Sequence, residues 1–309
     1  MELNIACSTD DKYSVLCMVM LCSLLENNKK NHVIAHILVN HLSLINQTKI
    51  LKLFSKYDNA QCVFHEVNVD LLKNCKYRTK LHKLSKAAYY RVLLASILKD
   101  VDRVIYLDCD MVVLSDLVPL LNIDMQNFGI AAVEDYGLPY NQEHFAQLEF
   151  SEGDKYFNSG FLLINLAYWR QHKIEKALIE FSESDRKVFF HDQDALNFVF
   201  RGSWIRLEPK WNHFNIFHIR LKDMFKDKAE YQAFFHKPCV IHYSDKYFKP
   251  WFKTPLIPFK NTWFKYLKLS AWNDFEYKTN DRPFYTIFKI LYLHLEILMF
   301  KFKFKFKCV

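Results

Sequence analysis

Asp108 and Asp110 stand two residues apart at the end of the apolar run Val104-Ile105-Tyr106-Leu107. In an extended strand the side chains at i and i+2 leave one face, so the two carboxylates should project together while Cys109 points away. Paired hard oxygen ligands at the mouth of a buried strand suit Mg²⁺ or Mn²⁺, metals that commonly accompany a phosphate-bearing substrate. The spacing alone is not specific, because Asp100 with Asp102 and Asp192 with Asp194 repeat it. What sets the first pair apart is the strand before it. His242 closes another apolar piece, Val240-Ile241, and is either a structural histidine or a third ligand beside the two aspartates. His191-Asp192-Gln193-Asp194 opens a helical stretch, where Asp192 also reads as a helix cap.

The elements that must position these residues alternate along the chain. Strand-like pieces at Leu3–Cys7, Val33–Val39, Gln61–Val67 and Arg103–Leu107 are separated by helical patterns at Val15–Glu26, Asn46–Lys56 and Ser85–Leu98. This rhythm predicts an α/β fold with a mostly parallel sheet and helices on both faces. Ligands on such sheets bind beyond the carboxyl ends of the strands, which would put Asp10 and Asp11 on one rim with Asp108 and Asp110. Phe128–Val133 and Phe161–Leu166 continue the strand pattern, a helix is expected from Tyr168, and another from His191. Neither G-x-G-x-x-G nor a Walker loop is present, which removes support for those two kinds of nucleotide site.

A chain of 309 residues, 51% hydrophobic, can bury a sizeable core. Half of its net charge of +8 lies at the end, where Lys289, Lys301, Lys303, Lys305 and Lys307 face only Glu296, a local +4. Together with the absence of zinc-finger spacings or RNA-binding motifs, this argues against a nucleic-acid partner. Eight scattered cysteines with no C-x-x-C pair fit reduced thiols of a cytoplasmic protein. The first residues enter an apolar strand at once and lack a basic leader, and Ser14–Leu25 is too short to span a bilayer. The run Lys301-Phe302-Lys303-Phe304-Lys305-Phe306-Lys307 alternates cation and aromatic, which suits docking on an anionic membrane surface. A biased disordered tail, or an edge strand guarded by lysine, is the competing reading.

Several of these pieces occur in a fixed order. They are Asp10-Asp11-Lys12-Tyr13, Tyr89-Tyr90-Arg91, Tyr106 to Asp110, Phe157-Asn158-Ser159-Gly160, Leu163 to Leu166, Asp192-Gln193-Asp194, and His242-Tyr243 followed by Lys249-Pro250-Trp251. The ordered set resembles glycosyltransferase family 8, retaining α-glycosyltransferases of the lipopolysaccharide galactosyltransferase and glucosyltransferase type, over about residues 1 to 255. The resemblance implies a GT-A-type, Rossmann-like domain, taken as 1–260, and the change of residue character from about 261 sets off a helical, basic-aromatic membrane-association segment over 261–309. The resemblance also implies a UDP-sugar donor (UDP-galactose or UDP-glucose), Mn²⁺ (or Mg²⁺), and a glycolipid or oligosaccharide acceptor met on the cytoplasmic face of a bacterial inner membrane. Carried over residue by residue, Asp108, Asp110 and His242 hold the metal, with Asp108 also facing the donor. Ser8, Thr9, Asp10 and Tyr13 hold the base, and Lys249 reaches the diphosphate. Arg91, Asp135, Asn158, Asp192 and Gln193 surround the sugar.

The pattern departs from the family at two places. Ser244 to Phe248 lengthens the loop before Lys249, which makes Lys246 an alternative phosphate contact, and Lys12 stands where the family often has asparagine. The residue matching the family's position beneath the sugar is Gln193, whose amide is a poor nucleophile, so retention is expected by front-face attack and not by a covalent sugar. A nucleotidyltransferase on a similar sheet, and an inert membrane-associated sugar-binding protein, are the alternatives that the residues leave open.

Overall fold

The computed structural model describes residues 1–75, 86–136, 141–214, 237–245, 247–254, 257–279, 283–288, 291–292 and 295. Its first strands are β1 (Glu2–Ser8), β2 (His32–Val39) and β3 (Ala60–Glu66), connected through α1 (Ser14–Asn27) and α2 (Leu44–Phe54). β4 (Arg103–Leu107) follows, then β5 (Met111–Val113) and β6 (Ile130–Glu134). Next come α4 (Gln142–Gln147, preceded in the chain by the short α3, Leu94–Ile97), β7 (Phe157–Asn165), α5 (Leu166–Gln171), α6 (Ile174–Glu183) and α7 (Asp192–Val199). The last strands are β8 (Ile205–Arg206), β9 (His213–Phe214) and β10 (Val240–His242), and a helix spans Lys260–Ser270.

Seven strands form one sheet in the order β3-β2-β1-β4-β7-β6-β8. Six run in one direction and β7 is reversed, pairing antiparallel with both β4 and β6. Alternation along the strands separates two apolar layers. Leu3, Ile5 and Cys7 face α1, α2 and the Lys260–Ser270 helix. Ala6, Val104, Tyr106 and Leu162 face Tyr89–Leu94 and α5 to α7. A second sheet, β5-β10-β9, sits beside α1. Lodged among these layers, α1 is apolar nearly all round, and every residue from Leu16 to Leu25 is buried.

Three expectations needed revision. The stretch expected as a helix over Ser85–Leu98 is a 3₁₀ helix at Lys86–Leu93 that becomes α-helical only at Leu94–Ile97. Packing of Tyr89, Tyr90 and Arg91 under the sheet overrides the helical pattern there. The helix expected from Tyr168 is two helices, broken where Lys173 adopts a φ of 52°. Asp108 and Asp110 lie beyond β4, in the turn where the chain leaves the large sheet for the small one. Their common projection therefore comes from the turn and not from strand alternation.

The Lys260–Ser270 helix buries Trp263, Tyr266 and Leu267 in the same core as β1 and α1, and Tyr266 Oη accepts a hydrogen bond from Asn27. Among the described residues no helix is long and apolar enough to cross a membrane.

Candidate active site

β7 extends past the end of β4, so Asn158 to Gly160 lie alongside Asp108, whose N–H donates to Gly160 O at 2.8 Å. The small sheet supplies the third wall: His242 pairs with Met111 across β10 and β5, and the Tyr243 N–H donates to Asp110 O at 3.0 Å. The result brings one ligand atom each from Asp108, Asp110 and His242 within 4.8 Å of one another. His242 Nε2 lies 3.2 Å from Asp110 Oδ1 and 3.9 Å from Asp108 Oδ2. Two hard oxygens and one imidazole nitrogen fit a divalent ion such as Mn²⁺ or Mg²⁺. Cys109, between the aspartates, turns into the core and donates its thiol to Ser8 O at 3.1 Å.

Gly160 is required by this approach. A Cβ there would lie 2.8 Å from Asp108 Oδ2 and would overlap the His242 ring, so only hydrogen fits between the Asp108 carboxylate and the imidazole.

The hydrogen bonds also fix the histidine tautomer. The Gly160 N–H donates to Asn158 Oδ1 at 3.0 Å, so that atom is the amide oxygen. Asn212 Nδ2 donates to the same oxygen at 2.9 Å, which leaves Asn212 Oδ1 to accept from His242 Nδ1–H at 3.0 Å. His242 is thereby protonated on Nδ1 and directs its Nε2 lone pair toward the aspartates. Asn212, fully buried at the end of a 3₁₀ turn, was not among the residues singled out from sequence. An asparagine after Trp211 carries no spacing signal that ties it to His242.

Arg91 is the hub of a second polar group beside the carboxylate cluster. Its buried guanidinium donates to Ser159 O at 2.5 Å, Asp108 Oδ1 at 2.7 Å and Ala88 O at 2.9 Å, and lies 3.1 Å from Asp192 Oδ2. The Tyr106 ring lies beneath it, 4.3 Å from the guanidinium carbon, and the Tyr106 hydroxyl meets Ser8 Oγ at 2.7 Å. Burial pushes the Asp192 carboxyl up to about 6, with Arg91 pulling the other way. Burial alone would also raise Asp110, but the Lys249 ammonium, with His242 beside it, holds its carboxyl well below the usual carboxylate range. Gln193 is fully engaged: Oε1 accepts from the Ser159 N–H at 2.9 Å and Nε2 donates to Asp135 Oδ2 at 3.1 Å. Asn158 donates to the same Asp135 oxygen at 3.1 Å.

The second D-x-D splits in two. Asp192 faces Arg91 from the first turn of α7, and the cap position belongs to His191, held at a φ of 55°. Asp194 points the other way and accepts from His144 at 2.7 Å, Tyr156 at 2.8 Å, and the N–H groups of Phe189 and Phe190 at 2.6 and 2.8 Å. It latches the loop that delivers His191 and Asp192. Asp102, in contrast, is an exposed partner of Arg170 at the surface.

At the end of β1, Asp10 Oδ1 accepts from the Tyr13 N–H at 2.9 Å and Thr9 is fully buried, its N–H donating to Leu38 O at 3.1 Å. Asp11 does not join the rim as the strand-end argument expected. Its carboxylate accepts from the Ser43 N–H and hydroxyl and from the Asn46 amide, which engages it in tethering the start of α2. Lys249 Nζ donates to Asp110 Oδ2 at 2.7 Å and also to Tyr243 O. Lys246 lies outside the described residues.

This sheet, with carboxylates and a histidine gathered at its rim, is the GT-A-type architecture of sugar transferases. The chain belongs to glycosyl transferase family 8, whose profile matches residues 4–254. Membership makes it a hexosyltransferase that uses a nucleotide-sugar donor and a saccharide acceptor. General stress protein A of Bacillus subtilis is 29% identical over 279 residues, covering 88% of this chain and 95% of that protein. The lipopolysaccharide 1,2-glucosyltransferase of Escherichia coli K12 is 28% identical over 276 residues, covering 88% and 79%. Among solved structures, the galactosyltransferase LgtC, in complex with donor and acceptor sugar analogs, superposes with a TM-score of 0.75 at 24% identity. That alignment covers 87% of this chain and 96% of LgtC.

Proposed function

We propose that this protein transfers galactose or glucose from a UDP-sugar to a saccharide acceptor of a lipopolysaccharide or lipooligosaccharide core, with Mn²⁺ and with retention of the anomeric configuration. The observation that carries this reading is the shared cluster: Asp108, Asp110 and His242 lie within 4.8 Å, and Asp108 is joined directly to Arg91, the partner of Asp192. The named glucosyltransferase relative supports the acceptor class.

In this reading Asp108, Asp110 and His242 hold the metal, which supplies Lewis-acid stabilisation of the departing diphosphate. Ser8, Thr9, Asp10 and Tyr13 receive the base, and Lys249 turns to the diphosphate. Arg91, Asp135, Asn158 and Asp192 orient the sugar. Gln193 has both amide atoms engaged and presents no free nucleophile, which favours front-face attack with the acceptor's proton passing to the leaving phosphate oxygen. A glycosyl-enzyme adduct trapped on Asp192 with the natural donor would rule this route out.

The division at 260/261 belongs to the same proposal, with the membrane role placed on the chain beyond the Lys260–Ser270 helix, which packs in the core. Phe284, Phe288, Leu291 and Leu295 are exposed at helical spacing, an apolar stripe that the Lys/Phe run follows in the sequence. This supports peripheral attachment to the cytoplasmic face of an inner membrane. Truncation after Arg282 should abolish co-sedimentation with anionic vesicles, and retained binding would refute the attachment.

The deciding experiment is a donor screen across UDP-sugars with Mn²⁺, reading UDP release by hydrolysis without an acceptor. Release of UDP from UDP-galactose or UDP-glucose is expected. Release of pyrophosphate, or no turnover with any UDP-sugar, would refute the proposal.

A further inference from the structure

The cleft rim carries a cation that the sequence did not single out. After the Lys260–Ser270 helix the chain runs back along the loop that bears Lys249. There the Lys278 N–H donates to Trp251 O at 2.9 Å, and Lys278 bridges to Phe252. This backbone tie sets the Lys278 ammonium over the Tyr13 ring, 5.6 Å from its centroid.

Tyr13 is placed beside the base in the proposed donor site and also lies within electrostatic reach of Asp110. Burial raises its hydroxyl, and the charges of Asp110 and Asp10 raise it further, so the ring feels both carboxylates. Lys278 is half-buried; burial, then the neighbouring Lys12 charge, lowers its ammonium from the ordinary lysine value, while Asp10 acts in the opposite direction. Among the described residues its only close partner is the Tyr13 ring, and no carboxylate forms an ion pair with it. A partly desolvated ammonium against an aromatic face, with a second lysine beside it, favours the arrival of an anion.

We infer that Lys278, delivered by the segment beyond the Lys260–Ser270 helix, contacts the diphosphate of the nucleotide donor as a second lysine beside Lys249. The inference rests on reading the cleft as a UDP-sugar site. The same loop holds both cations: Lys249 starts it and lies 5.4 Å from the Trp251 ring, and Trp251 and Phe252 tie down Lys278. The C-terminal segment is then part of the donor site and not merely an appendage.

The test measures binding of uridine, UMP and UDP, each with Mn²⁺, by titration calorimetry to the full-length wild type, Lys278→Met and Lys278→Arg. The backbone bond to Trp251 survives both substitutions, and a thermal melt of each variant verifies the fold. Lys278→Met should weaken UDP about 3- to 10-fold, the range of a partly screened charge contact. Uridine affinity should not change, and Lys278→Arg should recover most of the loss. Unchanged UDP affinity in Lys278→Met, or an equal loss for uridine and UDP, overturns the inference. Should Lys278→Met misfold, the Lys278→Arg and Lys278→Gln pair decides it: equal UDP affinity in the two overturns it, and weaker binding by Lys278→Gln alone upholds it. Failure of the wild type to bind UDP at all refutes the donor reading itself.

Discussion

Replacing Asn212 by alanine isolates one decision of the fold, the tautomer of His242. Asn212 accepts from His242 Nδ1–H at 3.0 Å and donates to Asn158 Oδ1 at 2.9 Å. Alanine removes both bonds inside a fully buried site. The orphaned Nδ1–H then costs about 1–3 kcal/mol, a penalty the imidazole escapes by moving its proton to Nε2. That proton would block the lone pair that faces Asp110 Oδ1 at 3.2 Å. Loss of such an orienting partner typically costs metal sites about 10- to 100-fold in affinity, or about 1.4 to 2.7 kcal/mol. Asn212→Asp keeps an acceptor for Nδ1–H while losing the donor to Asn158, so it should retain most of the metal affinity. The assay is Mn²⁺ binding by electron paramagnetic resonance with UDP present, alongside a thermal melt. Asn212→Ala that binds Mn²⁺ as tightly as the wild type would refute the tautomer argument, as would an Asn212→Asp that loses as much as alanine.

Asp108→Ala or Asp110→Ala should abolish UDP-sugar turnover while circular dichroism stays native, and wild-type turnover in either variant would remove them from the metal site. Gly160→Ala forces a methyl to within 2.8 Å of Asp108 Oδ2, and this overpacking should lower stability by about 1–3 kcal/mol in denaturant titration and weaken Mn²⁺ binding in parallel. Asp194→Ala strands the donors from His144, Tyr156, Phe189 and Phe190, so unfolding experiments should show a loss of about 3–5 kcal/mol. His36 is held down to about 4, first by burial and then by the His65 charge. Its native state therefore binds fewer protons than the unfolded chain, and stability should be lost as pH falls from about 6.5 toward 4. His36→Gln should flatten that part of the stability profile, and an unaltered profile would show that another group is responsible.

The sequence made the first half of the sheet readable because parallel strands buried on both faces are continuous apolar runs, and α1 is apolar throughout. The reversed β7 was not readable, because Phe157–Asn165 is buried along almost its whole length and an apolar run carries no direction. The short strands β5, β9 and β10 have too few residues to show a period, yet they are what carries His242 to Asp110. Likewise, Asp11 and Asp10 are neighbours of one chemical type, and only the position of Ser43 and Asn46 assigns one of them to α2.

What the sequence alone determined is the inventory and order of chemical groups: paired carboxylates after a buried strand, a distant histidine, and arginine, asparagine, aspartate and glutamine motifs between them. Side-chain type is local, so it survives reading along the chain. Tertiary structure decided which groups meet and in what protonation: the turn that aims Asp108 and Asp110, the gap left by Gly160, the Asn212 amide that fixes His242, and Asp194 as a latch beside Asp192. Each depends on contacts between residues far apart in the chain, where hydrogen-bond geometry and close packing act over a few ångströms of space that no sequence spacing records.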